Sequence, residues 1–241
     1  KDLAGKSVLL RLDLNIPVAP ASVLEEHRRI DAIVPTLKYL EKEGAKEIVM
    51  ASHHSGDRQS LKPISAFLQK SVPHHFVTDI FSNTEFARGR ESGAKVFLCE
   101  NLRLWEGEKK NDPEFAKHLA TFGDIYVNEA FSASHRAHAS IVGVPALLPS
   151  YAGLLFAWEI EELSRAWKPE HPFLFVLGGA KPETKMPLIE RFLGIADNIF
   201  LGGVVANIFF KELGFEIGRS VSGDSTSHVR KILDSGKISL P

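Results

Sequence analysis

Residues 7–15 read Ser7-Val8-Leu9-Leu10-Arg11-Leu12-Asp13-Leu14-Asn15, an apolar, β-rich run that closes on a carboxylate and an amide. Such a run reads as a buried strand. Residues 47–52, 75–78, 95–98 and 125–128 repeat the pattern, with segments of helical period fitting between them. Residues 30–43 place Ile30, Ile33, Val34, Leu37 and Leu40 on one stripe. Asp112-Pro113-Glu114 opens a further helix with an N-cap, an N1 proline and an acidic first turn. The alternation predicts a parallel sheet with helices on both faces.

Working outward, residues 154–167 (LLFAWEIEELSRAW) form a longer amphipathic segment. The polar, proline-containing break Lys168-Pro169-Glu170-His171-Pro172 follows it. Beyond the break the same grammar restarts: strands at 173–177 and 198–201, and helices from about Pro187, at 205–213 and at 227–233. The expected architecture is therefore α/β: two doubly wound, Rossmann-like parallel-sheet domains joined by a helix. The expected divisions are 1–153, a connecting helix and linker at 154–170, and a second domain at 171–241. Only two or three βα units follow the break, and residues 237–241 (KISLP) resemble a strand just beginning. The second domain is accordingly expected to be incomplete in this chain.

With 29 Lys+Arg against 30 Asp+Glu, the net charge is −1. No global field attracts nucleic acid or an anionic membrane, so any anion site must be local. Apolar residues at 44% and charged residues at 24% describe an ordinary globular chain. Cys99, the single cysteine, has no intramolecular disulfide partner, and no apolar run of ~20 residues is present. A reducing cytoplasm is the expected location, without a membrane partner.

In open α/β sheets ligands bind beyond the carboxyl ends of the strands, which makes the residue after each strand the informative one. Strand one ends in Asp13-Leu14-Asn15, strand two in His53, strand four in Glu100-Asn101-Leu102-Arg103. Strand five leads into Ser134-His135-Arg136-Ala137-His138, and Arg29 opens the first helix. Taken singly, each arginine is most simply a solvated loop charge. Together they describe a rim of arginines and a histidine beside an amide and a carboxylate, suited to a small phosphorylated hydroxy acid. In the second domain, Leu177-Gly178-Gly179-Ala180-Lys181 and Leu201-Gly202-Gly203-Val204 each follow a strand. They are expected to be glycine turns at helix N-termini, where backbone approaches a phosphate closely.

Four further patterns carry less. Gly5-Lys6-Ser7 resembles the end of a P-loop but precedes a strand rather than opening a helix. No G-x-G-x-x-G occurs, which disfavours a dinucleotide-dependent oxidoreductase. The ten histidines fall on different expected elements and Arg136 beside His135 repels a cation, so no metal site is expected. Cys99, inside the apolar run KVFLC, reads as a buried inert thiol.

These residues also resemble a known family. Arg11-Leu12-Asp13-Leu14-Asn15-Ile16-Pro17, Arg29-Ile30 with Pro35-Thr36, Ser52-His53, Glu100-Asn101-Leu102-Arg103, Val127-Asn128-Glu129-Ala130-Phe131 and His135-Arg136-Ala137-His138-Ala139-Ser140 are similar, in order and spacing, to phosphoglycerate kinases. So are Gly178-Gly179-Ala180-Lys181 with Lys185, Gly202-Gly203, and the run from Phe210 to Gly218. The resemblance implies a reversible phosphoryl transfer from 1,3-bisphosphoglycerate to ADP, giving 3-phosphoglycerate and ATP, by a hinge-bending monomer of glycolysis. It implies that Asp13, Asn15, Arg29, His53, Arg103 and Arg136 hold 3-phosphoglycerate. Lys181, Lys185, Gly202 and Gly203 would face the nucleotide phosphates, and Mg²⁺ would arrive with ADP or ATP. Arg29 and Lys181 would meet at the transferred phosphoryl and spread its charge. No strong base is needed, because the attacking oxygen is already anionic.

Two departures accompany the resemblance. After Ser-His the family reads L-G-R-P, whereas this chain reads His54-Ser55-Gly56-Asp57-Arg58, with Arg58 as the expected substitute for the displaced arginine. Val204 stands where the family has a third glycine. The resemblance further implies that later nucleotide motifs lie beyond Pro241, so that this stretch alone is expected to be inactive. The competing reading is a non-catalytic relative that binds a phosphorylated acid without transferring phosphate.

Overall fold

A computed structural model of the chain describes residues 3–16, 27–54, 59–223 and 227–241. Arg58, Asp57 and Pro17 lie outside the described residues. The chain divides into two compact units, Lys1–Ile160 and Glu161–Pro241.

The first unit holds strands β1 Ser7–Arg11, β2 Glu47–Ala51, β3 His75–Val77, β4 Val96–Cys99, β5 Ile125–Asn128 and β6 Ser150–Ala152. All are parallel, in the order β3-β4-β2-β1-β5-β6. Side chains alternate across a pleated strand, so the apolar runs supply two cores at once. Val8, Leu10, Ile48, Met50, Val96, Leu98, Ile125 and Val127 pack on one face. Helix α1 (His27–Lys42) lies there through Ile30, Ile33, Leu37 and Leu40, and α2 (Lys62–Leu68) through Ile64 and Leu68. Leu9, Val49, Ala51, Phe97, Cys99 and Tyr126 face the other way. They meet Phe86 of α3 (Asn83–Glu91) and Phe115, Ala116 and Leu119 of α5 (Pro113–Ala120), which follows the short α4 (Glu106–Lys109). Helices thus cover both faces, as the alternation predicts. Asp112 caps α5 by accepting from the Phe115 N–H at 2.8 Å.

Two details differ from expectation. β1 ends at Arg11 rather than at residue 15, because the Ser52 hydroxyl takes over the ladder. It accepts from the Leu14 N–H at 2.9 Å and donates to the Leu12 carbonyl at 3.0 Å. The alternation persists past the strand, and Leu12, Leu14 and Ile16 stay buried. β6 carries no apolar signature; its three residues pair with β5 at the sheet edge.

α6 (Leu154–Arg165) begins just after β6 and spans the division between the units. Its orphan N–H groups are met from the first unit. Thr36 Oγ1 accepts from Leu154, and the buried Glu129 carboxylate accepts from Leu155 and Phe156, each at 3.1 Å, and from the Thr36 hydroxyl. A Cβ on Gly153 would overlap that carboxylate.

The second unit has a three-stranded parallel sheet in the order β7 Leu174–Leu177, β8 Asn198–Leu201, β9 Ile238–Ser239. Its core joins Leu177, Ile199 and Leu201 to α7 (Met186–Leu193), α8 (Gly203–Glu212) and α9 (Ser227–Asp234), with Phe175 and Phe192 stacked at 4.0 Å. The opposite face of β7 stays bare among the described residues, with Leu174 at 56% and Val176 at 63% exposure.

Glu129→Ala strips two helix N–H groups and a buried hydroxyl of their acceptor. Urea unfolding is expected to show a loss of about 1–3 kcal/mol. Gly153→Ala, which displaces the same carboxylate, is expected to destabilise non-additively with it. Additive effects would mean that Glu129 and Gly153 act independently.

Candidate functional site

The strand order reverses between β1 and β5: the chain leaves β1 toward β2 on one side and β5 toward β6 on the other. The connections that leave the carboxyl ends of these two paired strands therefore run apart, which is where an open α/β sheet forms its crevice. Asp13 follows β1 and Ser132 follows β5. The Ser132 hydroxyl donates to Asp13 Oδ2 across the gap.

Asp13 is the centre of one group. Its Oδ1 accepts from the Asn15 N–H at 3.0 Å, and Arg29 Nη1 lies 3.3 Å from its Oδ2. Arg29 Nη1 also donates to the Asn15 carbonyl at 3.2 Å. Burial raises the Asp13 pKa, but the Ser132 hydroxyl, the Asn15 N–H and the charge of Arg29 outweigh it and hold the carboxyl below its ordinary value. Asp13 is thus an anchored carboxylate, and Arg29, about half exposed, keeps donors free to turn outward. Both line a cleft of about 260 Å³ with Ser132, Phe131 and Glu129.

His53 is the centre of the second group. It is 4% exposed, and Arg11 Nη2 donates to its Nδ1 at 2.9 Å. Burial, then the charges of Arg11 and Arg103, push its pKa down to about 3, with Arg136 adding to the shift and Asp13 opposing it. Arg103 and Arg136 are thus near enough to His53 for their charges to bear on the ring. Arg103 sits in the turn Leu102–Leu104 directly after β4, its N–H held by Asn101 Oδ1 at 3.1 Å. Asn101 Oδ1 also accepts from the His54 N–H at 3.0 Å, and its Nδ2 donates to the Gln59 carbonyl at 2.8 Å. Glu100 accepts from Ser60 and from the Leu61 N–H. His54 on one side and Gln59, Ser60 and Leu61 on the other are therefore anchored to the end of β4. Arg136 is exposed.

The structure thus brings Asp13, Asn15, Arg29, His53, Arg103 and Arg136 to the carboxyl edge of one sheet. Size alone would not have selected this place. A larger cavity of about 460 Å³, lined by Tyr39 of α1, Val127 of β5, Tyr151 of β6, Leu3 and Leu154, carries Lys6 as its one charged side chain among the described residues.

In the second unit the two glycine turns lie against each other. A Cβ on Gly178 would stand 3.6 Å from the Gly202 carbonyl, and one on Gly203 3.4 Å from the Gly179 N. Gly179 (φ 141°) and Gly203 (φ 63°) occupy backbone regions that L side chains rarely adopt. Gly202-Gly203 opens α8 directly, with no side-chain cap over its N–H groups. Gly178-Gly179 does not open an α-helix. Pro182 forces Lys181 out of helical geometry (φ −120°, ψ 88°), a 3₁₀ turn Pro182–Thr184 intervenes, and α7 starts only at Met186. Lys185 caps α7 with its Cε 3.3 Å from the Cβ position of Gly179, while Lys181 is exposed. Val204 falls inside the first turn of α8 with no positive φ, so a side chain there is unstrained.

Among the described residues, no group of three or more His, Cys, Asp and Glu side chains is arranged to hold a metal ion, and no helix is long and apolar enough to cross a membrane. The sequence reading missed Arg11, fully buried at the end of β1, and Ser132. Arg11 was legible only as a strand residue; Ser132 carried no signal distinguishing it from other loop serines.

An unfolded imidazole takes up a proton below its ordinary value of 6.5, whereas folded His53 refuses one until about pH 3. Protonation thus favours the unfolded chain, and stability is lost as pH falls through that window. Buried His74, also depressed, adds to the slope. Urea midpoints measured from pH 7.5 to 5 are expected to fall, and to fall less steeply in His53→Asn. An identical slope in that variant would show that His53 is not the group responsible.

The phosphoglycerate kinase family profile matches residues 1–241. The phosphoglycerate kinase of Cereibacter sphaeroides is 40% identical over 249 residues, which cover 98% of this chain and 62% of that one. That of Thermus thermophilus is 42% identical over 230 residues, covering 91% and 58%. Among solved structures, the phosphoglycerate kinase of Pyrococcus horikoshii superposes with a TM-score of 0.80 at 31% identity, covering 100% of this chain and 66% of that one. The enzyme from Coxiella burnetii gives 0.78 at 30%, covering 100% and 64%. The chain thus spans about three fifths of the length of the curated relatives it matches. A match along every residue, at this identity and on the same fold, means that the chain belongs to the phosphoglycerate kinase family.

Proposed function

We propose that this chain carries the acid-binding surface and part of the nucleotide-binding surface of a phosphoglycerate kinase. The reaction is reversible phosphoryl transfer between 1,3-bisphosphoglycerate and ADP, giving 3-phosphoglycerate and ATP. The observation that carries the reading is the rim of the first unit, where Arg29 pairs with an anchored Asp13 and the charges of Arg103 and Arg136 bear on a buried, neutral His53. Three guanidinium groups suit the phosphate and carboxylate of 3-phosphoglycerate, and the Asp13 carboxylate accepts from its hydroxyl. Asn15 completes the polar edge, and Arg58 is assigned there as the substitute for the displaced arginine.

In the second unit the uncapped N-terminus of α8 at Gly202-Gly203, with Lys181 and Lys185, offers N–H groups and positive charge to nucleotide phosphates. Mg²⁺ arrives with the nucleotide as part of the substrate. Arg29 and Lys181 are the residues we assign to stabilising charge on the transferring phosphoryl. Little else is required, since the attacking oxygen is already anionic and positioning supplies the rest. A monomer in the cytoplasm, bending about a hinge, belongs to the same reading.

Calorimetric titration of the folded chain with 3-phosphoglycerate tests the first half. Saturable binding is expected, weakened at least about tenfold, or ~1.4 kcal/mol, in Arg136→Ala, whose exposed side chain costs the fold little. A folded chain that binds no 3-phosphoglycerate would overturn the acid-binding assignment. Gly203→Ala, forced into a left-handed conformation, is expected to weaken ADP binding while leaving 3-phosphoglycerate binding unchanged. Binding with an unchanged affinity for ADP would remove the glycine turn from the nucleotide site.

A further inference from the structure

Behind the rim runs a buried chain of polar groups that the acid-binding reading does not use. Arg11 is fully buried, and each of its three guanidinium nitrogens is committed in a different direction. Nε donates to Ser140 Oγ at 2.8 Å, Nη1 donates to the Leu12 carbonyl, and Nη2 donates to His53 Nδ1 at 2.9 Å. A planar guanidinium held on all three nitrogens has no remaining rotation to exploit.

Ser140 is equally saturated. Its hydroxyl donates to Glu108 Oε1 at 2.6 Å, its N–H donates to Glu108 Oε2 at 2.9 Å, and its carbonyl accepts from the Tyr126 hydroxyl at 2.7 Å. Glu108 is also fully buried; His138 Nδ1 lies 3.6 Å from its Oε1. A buried carboxylate is costly unless a cation balances it, and Arg11 supplies that charge through the serine hydroxyl. The pair is neutral overall, which is what lets a guanidinium sit fully buried at the end of a central strand.

Arginine has no acceptor and does not lose its proton in a protein. The bond from Nη2 therefore requires a lone pair on His53 Nδ1, and in neutral His53 the single ring proton must reside on Nε2. The geometry points to Arg11, Ser140 and Glu108 as positioning residues that hold His53 in its Nε2–H tautomer, as a donor to the anionic ligand of the rim. The inference rests on the acid-binding reading of that rim. Its logic is that a site already dense in arginine gains a directional neutral donor, rather than a further mobile charge, only if Nδ1 is blocked from behind. The depressed pKa of the ring agrees with this arrangement.

The test is a nitrogen-15 NMR measurement of the His53 ring in the 241-residue chain, which identifies the protonated nitrogen without any ligand. Wild type is expected to show Nε2 protonated and Nδ1 bare from pH 7.5 to 5. Ser140→Ala, which removes the hydroxyl linking Arg11 to Glu108, is expected to show both tautomers in exchange, and calorimetry to show 3-phosphoglycerate affinity reduced about tenfold. Ser140→Thr retains the hydroxyl and is expected to restore both properties, a rescue that a general packing defect would not show. A wild-type ring protonated on Nδ1 overturns the proposal, as does Ser140→Ala that keeps one tautomer and full affinity. If the wild-type chain binds no 3-phosphoglycerate, the acid-binding reading falls, and the tautomer comparison still decides whether Ser140 and Arg11 hold the ring. Should Ser140→Ala fail to fold, the wild-type tautomer alone retains the power to refute.

Discussion

A guanidinium buried at the carboxyl end of β1 ties the acid-binding half of the molecule together. Arg11 joins the loop after β2 through His53, its own loop through the Leu12 carbonyl, and the turn after β5 through Ser140. Those segments carry the polar residues of the rim, so their mutual placement depends on how the charge of Arg11 is accommodated. An isolated buried guanidinium would be prohibitive. Glu108 balances it without touching it, through a serine whose three polar groups are all engaged. Arg29 and Arg136 on the outer rim can then stay exposed, because the framework behind them is already neutral.

The same division of labour recurs along the crevice. Asp13, Arg29 and Ser132 meet where the connections leaving β1 and β5 run to opposite sides, and they remain partly open. One layer deeper, Glu129 and Thr36 satisfy the first N–H groups of α6, and Glu100 and Asn101 fasten His54, Gln59 and Leu61. Buried acceptors therefore fix backbone, while exposed donors are left to a ligand. The second unit uses backbone in place of side chains. Glycines 179 and 203 reach conformations closed to other residues, and the bare N-terminus of α8 results.

Much of this was legible in the residues as a string. The apolar runs, with a period of two, fill two cores on opposite faces of one sheet. That is why their order alone implied a parallel sheet with helices on both sides. The polar residues after each run were legible for the same reason: in a parallel sheet every strand ends on the same edge. β6 escaped because Ser150-Tyr151-Ala152 has no apolar alternation and is a strand only by pairing with β5. The first glycine turn was misplaced relative to its helix because Pro182 and Pro187 delay α7 until Met186.

By itself, then, the amino-acid sequence determined the elements, their parallel order and the edge on which charged residues gather, since these follow from local periodicity and from what must stand after a strand. Only the tertiary structure decided which charges are surface and which are framework. Arg11 and Arg136 look alike in the sequence, yet one is fully buried and the other exposed. The difference comes from partners 42 and 129 residues away along the chain, His53 and Ser140, and from a carboxylate that reaches Ser140 from 32 residues off. Hydrogen bonds of that span leave no periodic trace; they exist only once the sheet has brought the ends of β1, β2 and β5 side by side.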